Sequence, residues 1–239
     1  SAIMTLLERF PLQISRPVCA QTMQITSRRN SFGKKVIKVV FTGGPCAGKS
    51  TSIERAKELI DKQYGDQWNC YTVAEAASVM YSTGRVSRDE LIGPRLKQWQ
   101  KDIVECVLTF EKVFDNIAAG EPTRHTIILC DRGALDPKVF TPLYMWPQIL
   151  EEMATTERAL MARYDLVLVQ HTAPDVNYTT ENNRLRREAP EQARKIDMKY
   201  AEVWQEHHRV IEIEANRENG MEEKFGDVWA QLEQLMNCE

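Results

Sequence analysis

Between Gly43 and Ser50 the chain reads Gly-Gly-Pro-Cys-Ala-Gly-Lys-Ser, which fits the spacing Gly, four residues, Gly-Lys-Ser. An apolar run, Val36 to Phe41, precedes it, and a helical pattern follows from Thr51 to about Lys62. The chemistry suited to such a segment is anion binding. Gly43, Gly44 and Gly48 allow successive backbone N–H groups to turn inward. Pro45, Cys46 and Ala47 complete the curve, and the following helix directs its positive end at the same anion. Lys49 would reach the β- and γ-phosphates of a nucleoside triphosphate, and the Ser50 hydroxyl would take a place on Mg²⁺. A chance Gly-rich turn needs neither the strand before nor the helix after, so the setting favours the phosphate-binding reading.

Further groups belong to the same chemistry. Asp131 directly follows the apolar run Thr126 to Cys130, where a carboxylate can hold Mg²⁺ beside Ser50. The plain alternative is an aspartate capping the next turn. Arg132 would orient Asp131 or touch an acceptor. Glu75 ends the run Trp68 to Val73 and would accept the proton of an attacking hydroxyl, or else serve as an acid at a helix N-terminus. The cluster Asn182-Asn183-Arg184-Leu185-Arg186-Arg187-Glu188 has the composition of a closing lid or of a solvated helix face. As a lid, Arg184 and Arg187 would neutralise charge at the γ-phosphate. By fold analogy alone, Asn216, after the last apolar run, lies where a loop touches the base.

The elements that must position these groups are legible as an alternation. Apolar runs at Val36–Phe41, Trp68–Val73, Thr126–Cys130, Leu166–Val169 and Val210–Ile213 are separated by helical patterns. Leu96, Trp99, Ile103, Val107, Phe110, Phe114 and Ile117 recur at helical steps; Gly93-Pro94 kinks that helix or starts it afresh, and Gly120-Glu121-Pro122 ends it. Strands alternating with helices predict an α/β fold with a parallel sheet covered on both faces. By analogy with kinase-like phosphate-loop folds, the strand order expected is 2-3-1-4-5. The expected organisation is a basic N-terminal arm over 1–34, then one phosphate-loop domain over 35–239 with an arginine-rich lid at about 175–195.

Composition narrows the class. Hydrophobic residues are 43% of 239, enough for a core, and no run approaches the ~18 apolar residues a membrane helix requires. The net charge of -3 gives no case for nucleic-acid binding. Residues 1–35 carry Arg9, Arg16, Arg28, Arg29, Lys34 and Lys35 against Glu8 alone, which suits a mitochondrial address or a solvated arm. Cys70, Cys106 and Cys130 read as buried thiols, and no cysteine spacing fits zinc; an intracellular, reducing compartment is expected, cytoplasm or mitochondrion. The stretch Phe140 to Pro147 is aromatic-rich; exposed it would meet a protein partner, as the basic arm also would, and buried it would wall a substrate pocket.

The phrases Phe41 to Ser50, Asp131-Arg132-Gly133-Ala134-Leu135-Asp136, Tyr164-Asp165-Leu166-Val167, Asn183 to Arg187 and Ala193-Arg194-Lys195-Ile196-Asp197 occur in an ordered series. In this they resemble the AAA-type phosphate-loop family shared by the translocation defect protein and the NAD-regulator ribosylnicotinamide kinase domain. The likeness runs from about Lys35 to the C-terminus. It implies a kinase-like fold, ATP or GTP with Mg²⁺, and nucleotide contacts from Gly48, Lys49, Ser50 and Thr51. It also implies a catalytic or metal role for Asp131 and a lid role for Arg184 and Arg187. The expected function is a small-molecule kinase that transfers the γ-phosphoryl group to a nucleoside-like hydroxyl. The alternative is a non-catalytic ATP- or GTP-binding switch or accessory subunit of a larger complex. A nucleic-acid-stimulated motor is disfavoured, since no helicase-like motif is found.

Overall fold

The computed structural model describes residues 28–172, 190–215 and 220–238. Five strands, β1 (Val36–Thr42), β2 (Trp68–Val73), β3 (His125–Asp131), β4 (Leu166–Gln170) and β5 (Val210–Ile213), form one sheet in the order 2-3-1-4-5. All four pairings are parallel. The parallel pairing is that expected from the alternation of apolar runs and helical patterns, and the order is that expected by analogy with kinase-like phosphate-loop folds.

The three central strands are apolar almost throughout because both of their faces are covered. Successive side chains alternate between two separate clusters. Val40, Ile128, Cys130, Val167 and Val169 join one; Val39, Phe41, Ile127, Leu129 and Leu168 join the other. The second cluster is roofed by α1 (Lys49–Tyr64) and α7 (Met221–Asn237), through Ile53, Ala56, Ile60, Phe225, Val228 and Leu232. The first receives α3 (Gly93–Ala119), α4 (Trp146–Glu152) and α6 (Pro190–Trp204), through Ile103, Val107, Trp146, Ile149, Tyr200 and Trp204. Two shorter helices, α2 (Ala76–Gly84) and α5 (Glu157–Met161), complete the set. Among the described residues, no helix is long and apolar enough to cross a membrane.

At Gly93-Pro94 a helix begins afresh: Ile92 is extended, and Pro94 occupies the first turn of α3, where no intrahelical N–H partner is needed. The stretch 140–147 divides rather than acting as one unit. Met145 and Trp146 are buried, whereas Leu143 and Tyr144 are 85% and 67% exposed. Cys70 and Cys130 are buried as expected, but Cys106 is only partly so, because it lies at the edge of the apolar stripe of α3. In the described part of the expected basic arm, Arg29 is bridged to Lys35 and Arg28 pairs with Asp165 at 2.9 Å.

One polar network crosses the first apolar cluster. Lys38 of β1, 1% exposed, donates to Glu111 at 3.0 Å and to Asp115 at 2.9 Å. Glu111, fully buried on α3, also accepts from Arg163 at 2.8 Å and from the Tyr164 hydroxyl at 2.5 Å. The Tyr164 oxygen in turn accepts the Ala134 N–H at 2.7 Å. The network therefore ends on the turn that follows β3.

Candidate active site

The loop after β1 can exist only with glycine at its first position. Gly43 has φ 122, and a Cβ there would stand 2.0 Å from the Gln170 carbonyl oxygen. Gly48, with φ 83, supplies the left-handed turn from which α1 starts. Lys49 is buried and donates to the Gly43 and Gly44 carbonyls at 3.2 and 2.8 Å. Burial lowers its pKa to about 8, and the neighbouring Arg132 charge adds to the effect, although Asp131 and Glu75 oppose it.

β3 delivers Asp131 to the same point. Its Oδ2 accepts the Ser50 hydroxyl at 2.6 Å, while its Oδ1 is buried with no protein partner. Burial pushes the Asp131 carboxyl above its ordinary range. Among the described residues, no group of three or more His, Cys, Asp and Glu side chains gathers as a metal site. An orphaned carboxylate oxygen beside a hydroxyl is nonetheless the donor set Mg²⁺ takes when phosphates and water supply the remaining ligands. The residues present fit that ion.

Arg132 has φ 80, uncommon for a side chain with a Cβ. Three contacts hold it: Nη1 donates to the Gly43 carbonyl at 2.6 Å, Nε meets Glu75 at 3.3 Å, and the guanidinium lies 4.3 Å over the Tyr200 ring. Glu75, the residue before α2, also accepts from Ser78 at 2.7 Å. Burial alone would raise the Glu75 pKa, but the Arg132 and Lys49 charges outweigh it and hold the carboxyl below its usual value. Asp136 fastens the turn underneath, accepting from Thr42, the Gly133 N–H and Trp204 at 2.8, 2.9 and 2.7 Å. A Cβ on Gly133 would stand 2.7 Å from the Trp204 ring. Trp204 is fully buried and anchored, so Gly133→Ala is expected to lower stability by about 1–3 kcal/mol, measured by denaturant unfolding.

A cavity of about 350 Å³ joins these groups. The loop from Pro45 to Thr51, Asp131, Glu75 and Arg132 line it together with the aromatic and apolar side chains of Tyr81, Trp99, Ile103 and Phe140. Lys49, Ser50, Glu75 and Asp131 are thus brought together. Arg184, Arg187 and Asn216 lie outside the described residues, as does most of the expected lid; α6 begins at its end. Asp136, Asp197, Tyr81 and Trp99 were not among the expected site residues.

The sheet order, the loop and the carboxylate at the tip of β3 define a phosphate-loop protein of kinase-like fold. The chain belongs to the AAA domain family, whose model matches residues 38–223. No curated protein matches it. Among solved structures it is similar to NadR protein in complex with NR, at TM-score 0.60 and 17% identity, over 85% of this chain and 52% of that one. It is also similar to thymidylate kinase from Ehrlichia chaffeensis, at TM-score 0.52 and 11% identity, over 84% of this chain and 99% of that one. This chain spans about half the length of the NadR chain, and at these identities the likeness is one of fold.

Proposed function

We propose that this protein is a Mg²⁺-dependent phosphotransferase that moves the γ-phosphoryl group of ATP or GTP to a hydroxyl on a small, nucleoside-like acceptor. The observation that carries the proposal is one cavity lined both by the phosphate loop with Lys49 and the Ser50–Asp131 pair and by the aromatic side chains of Tyr81, Trp99 and Phe140. In this reading the backbone from Gly43 to Thr51 wraps the phosphates and Lys49 neutralises charge on the β- and γ-groups. Ser50 and Asp131 hold Mg²⁺, which when bound offsets the charge on the transferring group. To Arg184 and Arg187 this reading assigns the charge on the γ-phosphate, and to Asn216 the base.

Glu75 faces the acceptor. Held ionised by Arg132 and Lys49, it accepts hydrogen bonds and donates none, so it orients the acceptor hydroxyl for in-line attack. A bond forms from the hydroxyl oxygen to the γ-phosphorus as the bond to the β–γ bridging oxygen breaks. The hydroxyl proton leaves to Glu75. Acceptor-dependent nucleotide consumption over a panel of nucleosides, lost in Lys49→Ala, is the test; nucleotide binding with no turnover on any acceptor would favour the switch or subunit. The exposed Leu143 and Tyr144 are the feature that suits such a partner-binding role.

Lys49 supplies a second check. Phosphates around its ammonium would raise a pKa that starts near 8. Binding of Mg-ATP should therefore take up protons around pH 8, and affinity should fall as pH rises above that value. Calorimetry at pH 8.5 in buffers of different ionisation enthalpy reads the uptake directly, and Lys49→Ala should abolish it.

A further inference from the structure

The peptide between Gly43 and Gly44 is held at both ends. Its carbonyl oxygen accepts from Lys49 Nζ at 3.2 Å and from Arg132 Nη1 at 2.6 Å. Its N–H donates to Asp197 Oδ1 at 2.7 Å. Asp197 stands on α6, 6% exposed, and its second oxygen meets the Thr172 N–H at 3.2 Å and His171 Nδ1 at 2.9 Å. His171 passes the contact on to Glu212 of β5 at 2.8 Å. We infer that Asp197 is a positioning residue for phosphoryl transfer: it sets the direction of the Gly43–Gly44 peptide and thereby places Lys49 and Arg132. The inference rests on the phosphotransferase reading above.

The physical reason is the one-way character of an ionised carboxylate, which accepts hydrogen bonds and donates none. With Asp197 on one side, the peptide must turn its N–H toward α6 and its carbonyl toward the two cations. The reverse orientation sets carbonyl against carboxylate and N–H against Lys49 and Arg132. This peptide needs such a guide because glycine stands on both sides of it, and Gly43 sits at φ 122. Glycine at position 44 also admits the guide, since a Cβ there would stand 2.2 Å from Thr172 Oγ1 and 2.9 Å from Asp197 Oδ1. Burial pushes the Asp197 carboxyl up, yet the bonds from His171, Gly44 and Thr172 hold its pKa below the ordinary value, keeping it acceptor-only.

The consequence reaches the acceptor side. Arg132 links the Gly43 carbonyl to Glu75, so a reversed peptide would release the arginine that holds the acceptor-facing carboxylate ionised. Asp197→Asn tests this, because the amide keeps the shape but offers a donor as well as an acceptor. In ¹⁵N-labelled protein the Gly44 amide proton is expected to resonate far downfield and exchange slowly. Asp197→Asn removes the charge and sets an NH₂ group against either the Gly44 or the Thr172 N–H. It should therefore move the Gly44 proton upfield and speed its exchange while still folding, and should weaken Mg-ATP binding by about tenfold or more, the loss expected of one charge-assisted hydrogen bond. Asp197→Glu, which remains acceptor-only, should keep the Gly44 signature and recover part of the affinity. A Gly44 resonance and an affinity within twofold of wild type in Asp197→Asn would overturn the inference. Failure of the wild-type chain to bind Mg-ATP would overturn the function instead, because the Gly44 resonance reports the peptide without nucleotide.

Discussion

Glu111→Ala is expected to lower the unfolding free energy by about 3–5 kcal/mol, the loss typical of removing one partner from a buried ion pair. Glu111 is fully buried and is the meeting point of Lys38, Arg163 and the Tyr164 hydroxyl. Without it, Lys38 keeps only Asp115, and the Tyr164 hydroxyl loses its acceptor in a site from which water is excluded. Lys38→Met should cost less, since Glu111 would still be met by Arg163 and Tyr164. The effect should also reach the candidate active site, because Tyr164 holds the Ala134 N–H in the turn that carries Asp131 and Arg132. Urea unfolding of the two variants measures the difference. A cost for Glu111→Ala below about 1 kcal/mol would show that the network is not the support described here.

Asp131→Asn is expected to cut turnover on the order of 10²–10³-fold, the scale on which a lost electrostatic partner in a transition state is felt. An asparagine of the same shape still accepts the Ser50 hydroxyl but brings no charge to Mg²⁺. Stability should move the other way. Burial raises the Asp131 pKa, so its ionised form costs folding free energy at neutral pH, and a neutral amide avoids that cost. A melting temperature equal to or above that of wild type, together with lost turnover, is therefore the combined signature. Turnover unchanged, or lost with a large fall in melting temperature, would contradict the assignment.

The strands are legible because their signals are local, whereas their order rests on fold analogy. Each central strand is a short apolar run with turn residues at its ends, and the Gly-Lys-Ser spacing needs no distant partner to be recognised. Asp131 could be singled out because it stands at the end of such a run, and the structure does bring it to Ser50. What was not legible depends on register between distant segments. Asp136 and Asp197 both stand in motif phrases, yet nothing local says that one collects Thr42, Gly133 and Trp204 or that the other reaches the Gly44 N–H, 153 positions away. Arg132 could be read as a helper of Asp131, but its contacts go to Gly43, Glu75 and Tyr200, which only the assembled sheet brings near. The stretch 140–147 reads as a partner surface if exposed or a pocket wall if buried; it is neither throughout, because Met145 and Trp146 are drawn into the core while Leu143 and Tyr144 stay outside.

Calorimetric titration of the wild-type chain with Mg-ATP and Mg-GTP, repeated on Lys49→Ala, tests the central claim most directly. Saturable binding of one nucleotide per chain, lost with the lysine, is the result expected of a working phosphate loop. Heats that never saturate with either nucleotide in the wild-type chain would contradict it.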